Sequence, residues 1–180
     1  MSMFKPLNLQ RWVEENQHLL KPPVGNKMVW NDERDTIVMV VGGPNARKDY
    51  HVNPTEEFFY QIKGDITVGI IHPETGEPDE VVIREGEIYL LPPKVPHSPQ
   101  RGANTVGLVI EYKRPKGVDD ALIWFCESCV TKLYEEDFTL KNIETDMPKI
   151  FDNYYGDIDK RTCPNCGSIM TPPKKLQLED

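Results

Sequence analysis

The sequence lacks any apolar run of the roughly 18–20 residues that a membrane-spanning helix needs. Its N-terminus also lacks the positively charged segment followed by an apolar segment that marks a secretory signal. Basic residues are in the minority, because 21 lysines and arginines stand against 29 acidic residues, and the net charge is −8. This charge disfavours duplex nucleic acid and anionic membranes as partners. We therefore expect a cytoplasmic protein with neither kind of partner.

Regular alternation of strands and helices is also missing, which argues against a parallel sheet. The 16 prolines favour short strands and turns over long helices. Asn8 is predicted to cap one short N-terminal helix, and residues 21–27 are predicted to form a loop. Strands are predicted over residues 36–41, 57–63, 66–71, 81–84, 87–91, 106–112 and 121–125. Short strands separated by turn residues predict a mainly β protein with an antiparallel barrel or sandwich.

The composition changes after Gly117. Residues 118–180 carry most of the negative charge, and residues 130–162 are acidic and predicted to be partly helical. We therefore predict two domains, a barrel over residues 1–117 and a small C-terminal segment over residues 118–180.

The chain has only four cysteines, which form two Cys-x-x-Cys pairs, Cys126/Cys129 and Cys163/Cys166. Without an export signal, this pattern favours a bound metal over disulfides or a redox-active dithiol, which stay open as alternatives. Two such loops complete a tetrahedral site, and the segment CPNCG resembles a rubredoxin or zinc-ribbon knuckle. The ion is iron or zinc, since both accept four thiolates. A closed four-cysteine site predicts a structural role.

Two histidines and one glutamate form a second candidate metal site. Two neutral imidazoles and one carboxylate can hold Fe(II) on one side and leave the other side open. His51, Glu57 and Gly64 match the first sequence motif of the cupins, although Asn53 stands where that motif has a second histidine. His97 matches the histidine of the second cupin motif.

The rest of the second motif agrees in part. Gly86 and Pro92 match it, whereas Lys94 replaces a glycine and Arg101 replaces an asparagine. The resemblance implies a cupin fold, which is a double-stranded β-helix or jelly-roll barrel, preceded here by the short helix and followed by the rubredoxin-like segment.

Charged residues flank this site in the sequence. Arg47 lies four residues before His51, and Arg101 lies four residues after His97. Arginine is suited to bind a carboxylate through two parallel hydrogen bonds. Glu111, within the alternating strand 106–112, is predicted to face the cavity, where a buried carboxylate could bind an amine or transfer a proton. Each of these three residues could instead be an ordinary surface charge.

Longer segments carry a closer resemblance. The segments NLQRWVEENQHLLKPPVGN, GGPNARKDYHVNPTEEFFYQIKGD and LLPPKVPHSPQR, with the paired cysteines, resemble the 3-hydroxyanthranilate 3,4-dioxygenase family. The match is to its short single-cupin form with a rubredoxin-like C-terminal site, and it covers nearly the whole chain. It implies catalytic Fe(II) on His51, Glu57 and His97, with a second iron or zinc on the four cysteines.

The resemblance also implies the roles of the pocket residues. Arg47 and Arg101 bind the carboxylate of the substrate, and Arg47 also contacts O₂. Arg47, Arg101 and Glu111 are catalytic residues, and Glu111 also binds the substrate and manages protons. Glu57 and Asn26 contribute further contacts to the substrate.

The reaction that the resemblance implies is an oxidative ring opening. 3-Hydroxyanthranilate and O₂ give 2-amino-3-carboxymuconate semialdehyde, which cyclises without a catalyst to quinolinate. Quinolinate is a precursor of NAD on the route from tryptophan through kynurenine. The family further implies a homodimer. Two alternatives remain open: another metal-dependent cupin enzyme, such as an isomerase or a different oxygenase, and a non-enzymatic sensor of small acids.

Overall fold

The computed structural model describes residues 5–21, 25–30, 35–140 and 143–173, which form a mainly β protein. The strands are β1 (Asn26–Met28), β2 (Thr36–Gly42), β3 (Asp49–Val52), β4 (Glu57–Lys63), β5 (Ile66–Ile71), β6 (Pro78–Ile83), β7 (Ile88–Leu91), β8 (His97–Arg101), β9 (Val106–Tyr112), β10 (Asp120–Phe125) and β11 (Lys132–Phe138). The helices are α1 (Leu9–Glu15), a 3₁₀ turn (Gln17–Leu19), α2 (Ile143–Tyr155) and α3 (Ile158–Arg161). Within these described parts, every helix is too short or too polar to cross a bilayer.

The strands form two antiparallel sheets that face each other. One sheet has the order β1-β2-β9-β4-β7, and the other has the order β11-β10-β3-β8-β5-β6. The apolar core lies between them and includes Met39, Phe59, Val68 and Val109. The predicted mainly β cupin barrel with a short N-terminal helix is confirmed.

Side-chain alternation along the strands determines which residues reach the interior. On β4 the buried positions are Glu57, Phe59 and Gln61, and the residues between them are only partly buried. Successive side chains of a strand point to opposite faces, so a polar and potentially reactive group shares the inner face with the core. α1 is capped as predicted, because the side chain of Asn8 accepts a hydrogen bond from the backbone N–H of Arg11 at 2.9 Å.

Several elements differ from the sequence-based prediction. β3 and β8 form where only connecting segments were expected, and β11 forms at the start of the region expected to be partly helical. β1 begins at Asn26, so the predicted loop 21–27 already contains the first residues of a strand, while residues 22–24 lie outside the described part. β6 begins at Pro78, three residues before its predicted start.

The residues after Gly117 continue the six-stranded sheet. β10 pairs with β3, and Leu122 stands opposite His51 in that register. α2 packs on the same strand, where the rings of Trp124 and Tyr154 stack with centroids 4.2 Å apart. The division into residues 1–117 and 118–180 stays a prediction.

Three positions of the cupin motifs have left-handed backbone conformations. The φ angles are +65° at Gly64 and +85° at Gly86, where glycine adopts them without steric cost. Lys94 has a φ of +64° at the position where the motif has a glycine. The backbone of the connection to β8 therefore keeps the conformation that the motif requires, even with a lysine in its place.

Candidate active site

The three predicted metal ligands come from both sheets and meet inside the barrel. His51 of β3 stands directly opposite His97 of β8, whereas Glu57 reaches the same point from β4 in the other sheet. One potential ligand atom from each residue lies within 4.8 Å of the other two. The exposed fractions are 5% for His51, 6% for Glu57 and 1% for His97. The structure therefore brings the predicted triad together in a buried position.

The hydrogen bonds of His97 orient its ring for metal binding. Its Nδ1 lies 3.0 Å from the carbonyl oxygen of Val95, which can only accept, so the proton is on Nδ1. A neutral ring then turns the lone pair of Nε2 towards Oε2 of Glu57, 3.0 Å away. Among the described residues, no hydrogen-bond donor reaches this buried oxygen. A cation between two facing lone pairs at this distance removes their repulsion, and either a metal ion or a proton on Nε2 supplies one.

The charge states of the triad also suit a metal ion. Burial would raise the pKa of Glu57, but the neighbouring His97 and His51 lower it to about 2. Burial lowers the pKa of His51 below its ordinary value, against the opposing effect of Asp120. An ionised Glu57 carboxylate and a neutral His51 imidazole are forms that bind metals.

The two predicted arginines differ in their burial. Arg101 faces inward from β8 and is 5% exposed. Its Nη1 donates to Oε1 of Gln61 at 3.4 Å. Burial lowers the pKa of Arg101 to about 10, partly offset by Glu57, and the positive charge of Arg47 contributes to the decrease. Arg101 therefore remains charged at neutral pH, close to both the triad and Arg47.

Arg47 lies at the edge of the site. Its side chain is 24% exposed and forms an ion pair with the buried carboxylate of Asp49. Asp49 begins β3 and shares the inner face of that strand with His51. The ion pair therefore holds the guanidinium of Arg47 beside the interior instead of in open solvent.

Glu111 is a buried carboxylate next to the triad. It stands directly opposite Glu57 in the pairing of β4 with β9 and is 2% exposed. Its Oε2 accepts a hydrogen bond of 2.9 Å from Nδ2 of Asn53 and lies 2.6 Å from Nη2 of Arg114. Burial and the negative charge of Glu57 raise the pKa of Glu111 to about 7, despite the opposing charge of Arg114.

Asn26 lies farther from the triad, at the edge of the five-stranded sheet. It pairs with Val41, which pairs with Gly107, and Gly107 in turn stands opposite Gln61. Paired residues of neighbouring strands project from the same face of a sheet. Asn26 therefore lies on the inner face, in the same row of paired residues as Gly107, and the guanidinium of Arg101 lies over this row. A Cβ atom on Gly107 would lie 2.8 Å from Nη1 of Arg101. The role of Asn26 in substrate binding stays a prediction.

Residues that the sequence-based analysis missed support this site from behind. Asn53, at the position of the absent second histidine, donates a hydrogen bond to Glu111 instead of adding a fourth ligand to the triad. Asp120 lies 2.6 Å from Nε2 of His51, and Arg114 contacts both Asp120 and Glu111. No motif marks these residues; the available signal is their acidic or basic character at the ends of predicted strands.

The four cysteines form the second candidate metal site. The Sγ–Sγ distances are 3.6 Å for Cys126–Cys166 and 3.5 Å for both Cys129–Cys163 and Cys129–Cys166. A disulfide has sulfurs about 2.05 Å apart, whereas four thiolates about 2.3 Å from one ion are separated by distances close to those observed. The geometry therefore fits a tetrahedral ion, and all four cysteines are free of disulfides.

The two cysteine loops have matching backbones. The N–H of Cys126 donates to the carbonyl of Thr131 at 2.8 Å, and the N–H of Cys163 donates to that of Ser168 at the same distance. The residue after each second cysteine has a positive φ, +60° at Val130 and +73° at Gly167. This repeated loop is consistent with the predicted rubredoxin-like segment.

Comparisons with known proteins agree with this geometry. A sequence profile described as 3-hydroxyanthranilic acid dioxygenase matches residues 1–155. A 3-hydroxyanthranilate 3,4-dioxygenase of Ruegeria pomeroyi is 51% identical over 170 residues, which cover 94% of this chain and 93% of the relative. The enzyme of the same name from Xanthomonas euvesicatoria is 49% identical over 173 residues, 96% of each chain.

A solved structure provides a more distant comparison. A cupin-2 domain containing protein from Shewanella frigidimarina has a TM-score of 0.45 and 17% sequence identity, with 58% of this chain and 99% of that chain covered. The profile and the two relatives match most of the chain, whereas the solved structure matches 58% of it. The chain belongs to the 3-hydroxyanthranilic acid dioxygenase family.

Proposed function

We propose that the protein is an Fe(II)-dependent 3-hydroxyanthranilate 3,4-dioxygenase that forms 2-amino-3-carboxymuconate semialdehyde from 3-hydroxyanthranilate and O₂. The observation that carries this proposal is the buried meeting of His51, Glu57 and His97, in which an imidazole lone pair faces an unsatisfied carboxylate oxygen at 3.0 Å. The family membership and the names of its relatives agree with it.

Fe(II) suits this donor set better than a hard or a thiophilic ion does. Two imidazoles and one carboxylate on one face are the ligands of many non-haem iron oxygenases. Bound Fe(II) would supply Lewis acidity and redox chemistry for the reaction between the substrate and O₂. His51, Glu57 and His97 would hold the ion, and their burial limits the access of water to it.

Arg101 and Arg47 bind the substrate through its carboxylate. Arg101 is buried and charged beside the triad, and its side-chain hydrogen bond to Oε1 of Gln61 is long at 3.4 Å. A substrate carboxylate is a stronger acceptor for this guanidinium, and two parallel hydrogen bonds would fix the direction of the ring. Arg47 adds a second positive charge from the edge of the site, where it would also border the space for O₂.

Glu111 moves protons during the reaction. The phenol and amine of the substrate must lose protons as the ring becomes electron-rich enough to be oxidised. A carboxylate with a pKa of about 7 is close to balance at neutral pH, so it can accept a proton and return it later. Its position opposite Glu57 places this proton exchange beside the metal site.

The test of the iron site uses single alanine variants of His51, Glu57 and His97. Each variant should lose one Fe(II) per chain and all O₂ uptake, while the metal at the four cysteines remains. Full activity in any one of them would contradict the assignment of that ligand. Isomerisation of a substrate without O₂ uptake would favour the isomerase alternative. Binding of small acids without turnover in the Fe(II)-loaded protein would favour the sensor.

The four-cysteine site is proposed to hold iron or zinc in a structural role. Its support is the set of Sγ–Sγ distances, all of which fit a single tetrahedral ion. Replacement of Cys163 with serine should lower the melting temperature while the barrel retains its Fe(II) and its turnover per folded molecule. Loss of turnover with unchanged melting temperature and unchanged barrel iron would contradict a structural role.

A homodimer is proposed to form through the outer face of the five-stranded sheet. Ile88 is 66% exposed, Leu90 is 53% exposed and Tyr112 is 52% exposed, and the register places them on the side away from Glu57. Replacement of Leu90 with lysine should shift the protein to a monomer in sedimentation experiments. Val82, 48% exposed on the other sheet, provides the matched lysine control. A wild-type monomer would contradict the proposal.

We also propose a cytoplasmic location and a role in supplying quinolinate for NAD synthesis. The location is supported by four cysteines that form no disulfides. The metabolic role is supported by the chemistry of the proposed product, since its amine and aldehyde can condense to a pyridine ring.

A further inference from the structure

Asp120 connects a metal-binding histidine to a buried arginine. It lies at the start of β10 and has no exposed surface. Its Oδ2 is 2.6 Å from Nε2 of His51. Arg114 donates to both carboxylate oxygens, from Nε to Oδ1 at 2.6 Å and from Nη2 to Oδ2 at 2.5 Å. Asp120 therefore receives a bidentate arginine on one side and an imidazole N–H on the other.

Arg114 extends the same connection to the substrate pocket. Its side chain is only 5% exposed, and its Nη2 also lies 2.6 Å from Oε2 of Glu111. Its Nη1 donates to the carbonyl oxygen of Tyr112 at 2.6 Å, which fixes the plane of the guanidinium. The rigid guanidinium of Arg114 therefore bridges two carboxylates, that of Glu111 beside the metal site and that of Asp120, which contacts His51.

Asp120 and Arg114 form a buried ion pair. Burial would lower the pKa of Arg114, but Asp120 and Glu111 raise it above the ordinary value. The two groups are joined by two hydrogen bonds of 2.6 and 2.5 Å, and each depends on the other because an unpaired buried charge is costly.

We propose that Asp120 and Arg114 are positioning residues for the reaction, holding the imidazole of His51 and the carboxylate of Glu111 as one hydrogen-bonded unit. This proposal rests on the proposed iron site and deepens it. Neither residue touches the substrate or the reacting atoms. They act through His51 and Glu111.

A carboxylate behind a histidine ligand has two physical effects. It accepts the ring N–H, which fixes the tautomer and leaves the other nitrogen free to bind the metal. It also makes the imidazole a better donor, and loss of such a partner typically weakens metal binding or activity. Arg114 in addition fixes the carboxylate of Glu111, which lies 2.6 Å from its Nη2.

A purely structural ion pair is the alternative, and it makes different predictions. Loss of a structural pair lowers stability but leaves the Fe(II) affinity and the turnover of the folded fraction unchanged. Loss of positioning residues changes both quantities in the folded protein. The experiment therefore measures Fe(II) affinity separately from turnover and from the melting temperature.

The variants are Asp120→Asn and Arg114→Lys, with Arg84→Lys as the control. Asparagine keeps the size of the aspartate but removes its charge, and lysine keeps a positive charge but cannot bridge two carboxylates as a guanidinium does. Arg84 forms an ion pair with Glu87 on the surface, where its side chain is 66% exposed. Fe(II) affinity is measured anaerobically by competition with a chromophoric chelator in the full-length protein.

For Asp120→Asn we expect Fe(II) affinity to fall about 10- to 100-fold. Turnover per bound iron should also fall, while KM changes little because Arg47 and Arg101 are intact. Arg114→Lys should show losses in the same direction, and Arg84→Lys should match the wild type. Wild-type affinity and turnover in folded Asp120→Asn would overturn the proposal. If that variant does not fold, the same result in Arg114→Lys would overturn it.

A measurement on the wild type does not depend on the folding of any variant. In the Zn(II)-loaded protein, the ring N–H of His51 should give a low-field proton resonance that is protected from exchange with water. A rapidly exchanging ring N–H would overturn the proposal. Failure of the wild type to bind Fe(II) in the barrel would instead contradict the proposed function, so the two failures are distinguishable.

Discussion

Arg101 offers the most informative single substitution in the substrate pocket. It is 5% exposed, and its pKa of about 10 keeps it charged at neutral pH. Under the proposed function, replacement with alanine removes a charge-assisted hydrogen-bond partner of the substrate carboxylate, worth roughly 1.5–3 kcal/mol. At about 1.4 kcal/mol per factor of ten, kcat/KM for 3-hydroxyanthranilate should fall about 10- to 150-fold, mainly through an increase in KM.

The assay compares two substrates so that the lost interaction is isolated. 2-Aminophenol has the amine and the phenol of 3-hydroxyanthranilate but no carboxylate. The Arg101→Ala variant should therefore lose little with 2-aminophenol, relative to the wild type, under the same Fe(II) loading. Arg101→Lys, which keeps the charge but not the paired geometry, should fall between the wild type and the alanine variant. Equal losses with both substrates, or an unchanged KM for 3-hydroxyanthranilate, would refute the placement of Arg101 at the substrate carboxylate.

Three further substitutions test other parts of the structure. Gly107→Ala places a Cβ atom 2.8 Å from Nη1 of Arg101, so KM for 3-hydroxyanthranilate should rise with little loss of folding; an unchanged KM would show that the guanidinium moves freely. In the metal-free protein the folded-state pKa of Glu111 is raised to about 7, so the stabilising effect of its protonation is present below the unfolded pKa and is lost as pH rises towards 7. Relative to Glu111→Gln, the wild type should therefore lose up to about 3 kcal/mol of stability between pH 4.5 and 7; parallel urea-unfolding curves would contradict the raised pKa. Val130 is a β-branched residue at a φ of +60°. Val130→Gly should remove about 1–2 kcal/mol of backbone strain, of which the flexibility of glycine offsets about 0.5–1 kcal/mol. A lower melting temperature would contradict this reasoning.

The candidate metal ligands could be predicted from the sequence because motif spacing specifies them. His51 and Glu57 lie on β3 and β4, which follow each other in the chain, and the second motif places His97 at the start of β8. Gly64 and Gly86 occupy positions with positive φ, so their presence in the motifs has a backbone cause. The four cysteines were equally predictable, since each pair occupies one tight loop.

β3 and β8 could not be predicted from hydrophobic alternation. Their sequences are DYHV and HSPQR, and the inner positions of β3 are Asp49 and His51. The inner face of a strand that carries candidate ligands is polar, whereas the inner face of a structural strand is apolar. Sequence patterns of this kind fail where function replaces the core.

The support provided by Asp120 and Arg114 also escapes prediction. Asp120 is separated from His51 by 69 positions in the sequence, and the two meet only because β10 pairs with β3 in one particular register. Sequence spacing does not specify that register. The acidic and basic residues near position 117 consequently resemble an ordinary charged linker until the strands are in place.

The amount of O₂ consumed for each semialdehyde formed tests the central claim most directly. The protein is loaded with Fe(II) without air, mixed with 3-hydroxyanthranilate and then exposed to O₂ in an oxygen electrode. We predict one O₂ consumed per molecule of semialdehyde, followed by the absorbance of the conjugated product, and no reaction in His97→Ala. Loss of 3-hydroxyanthranilate without O₂ uptake, or its stable binding without any product, would contradict the account.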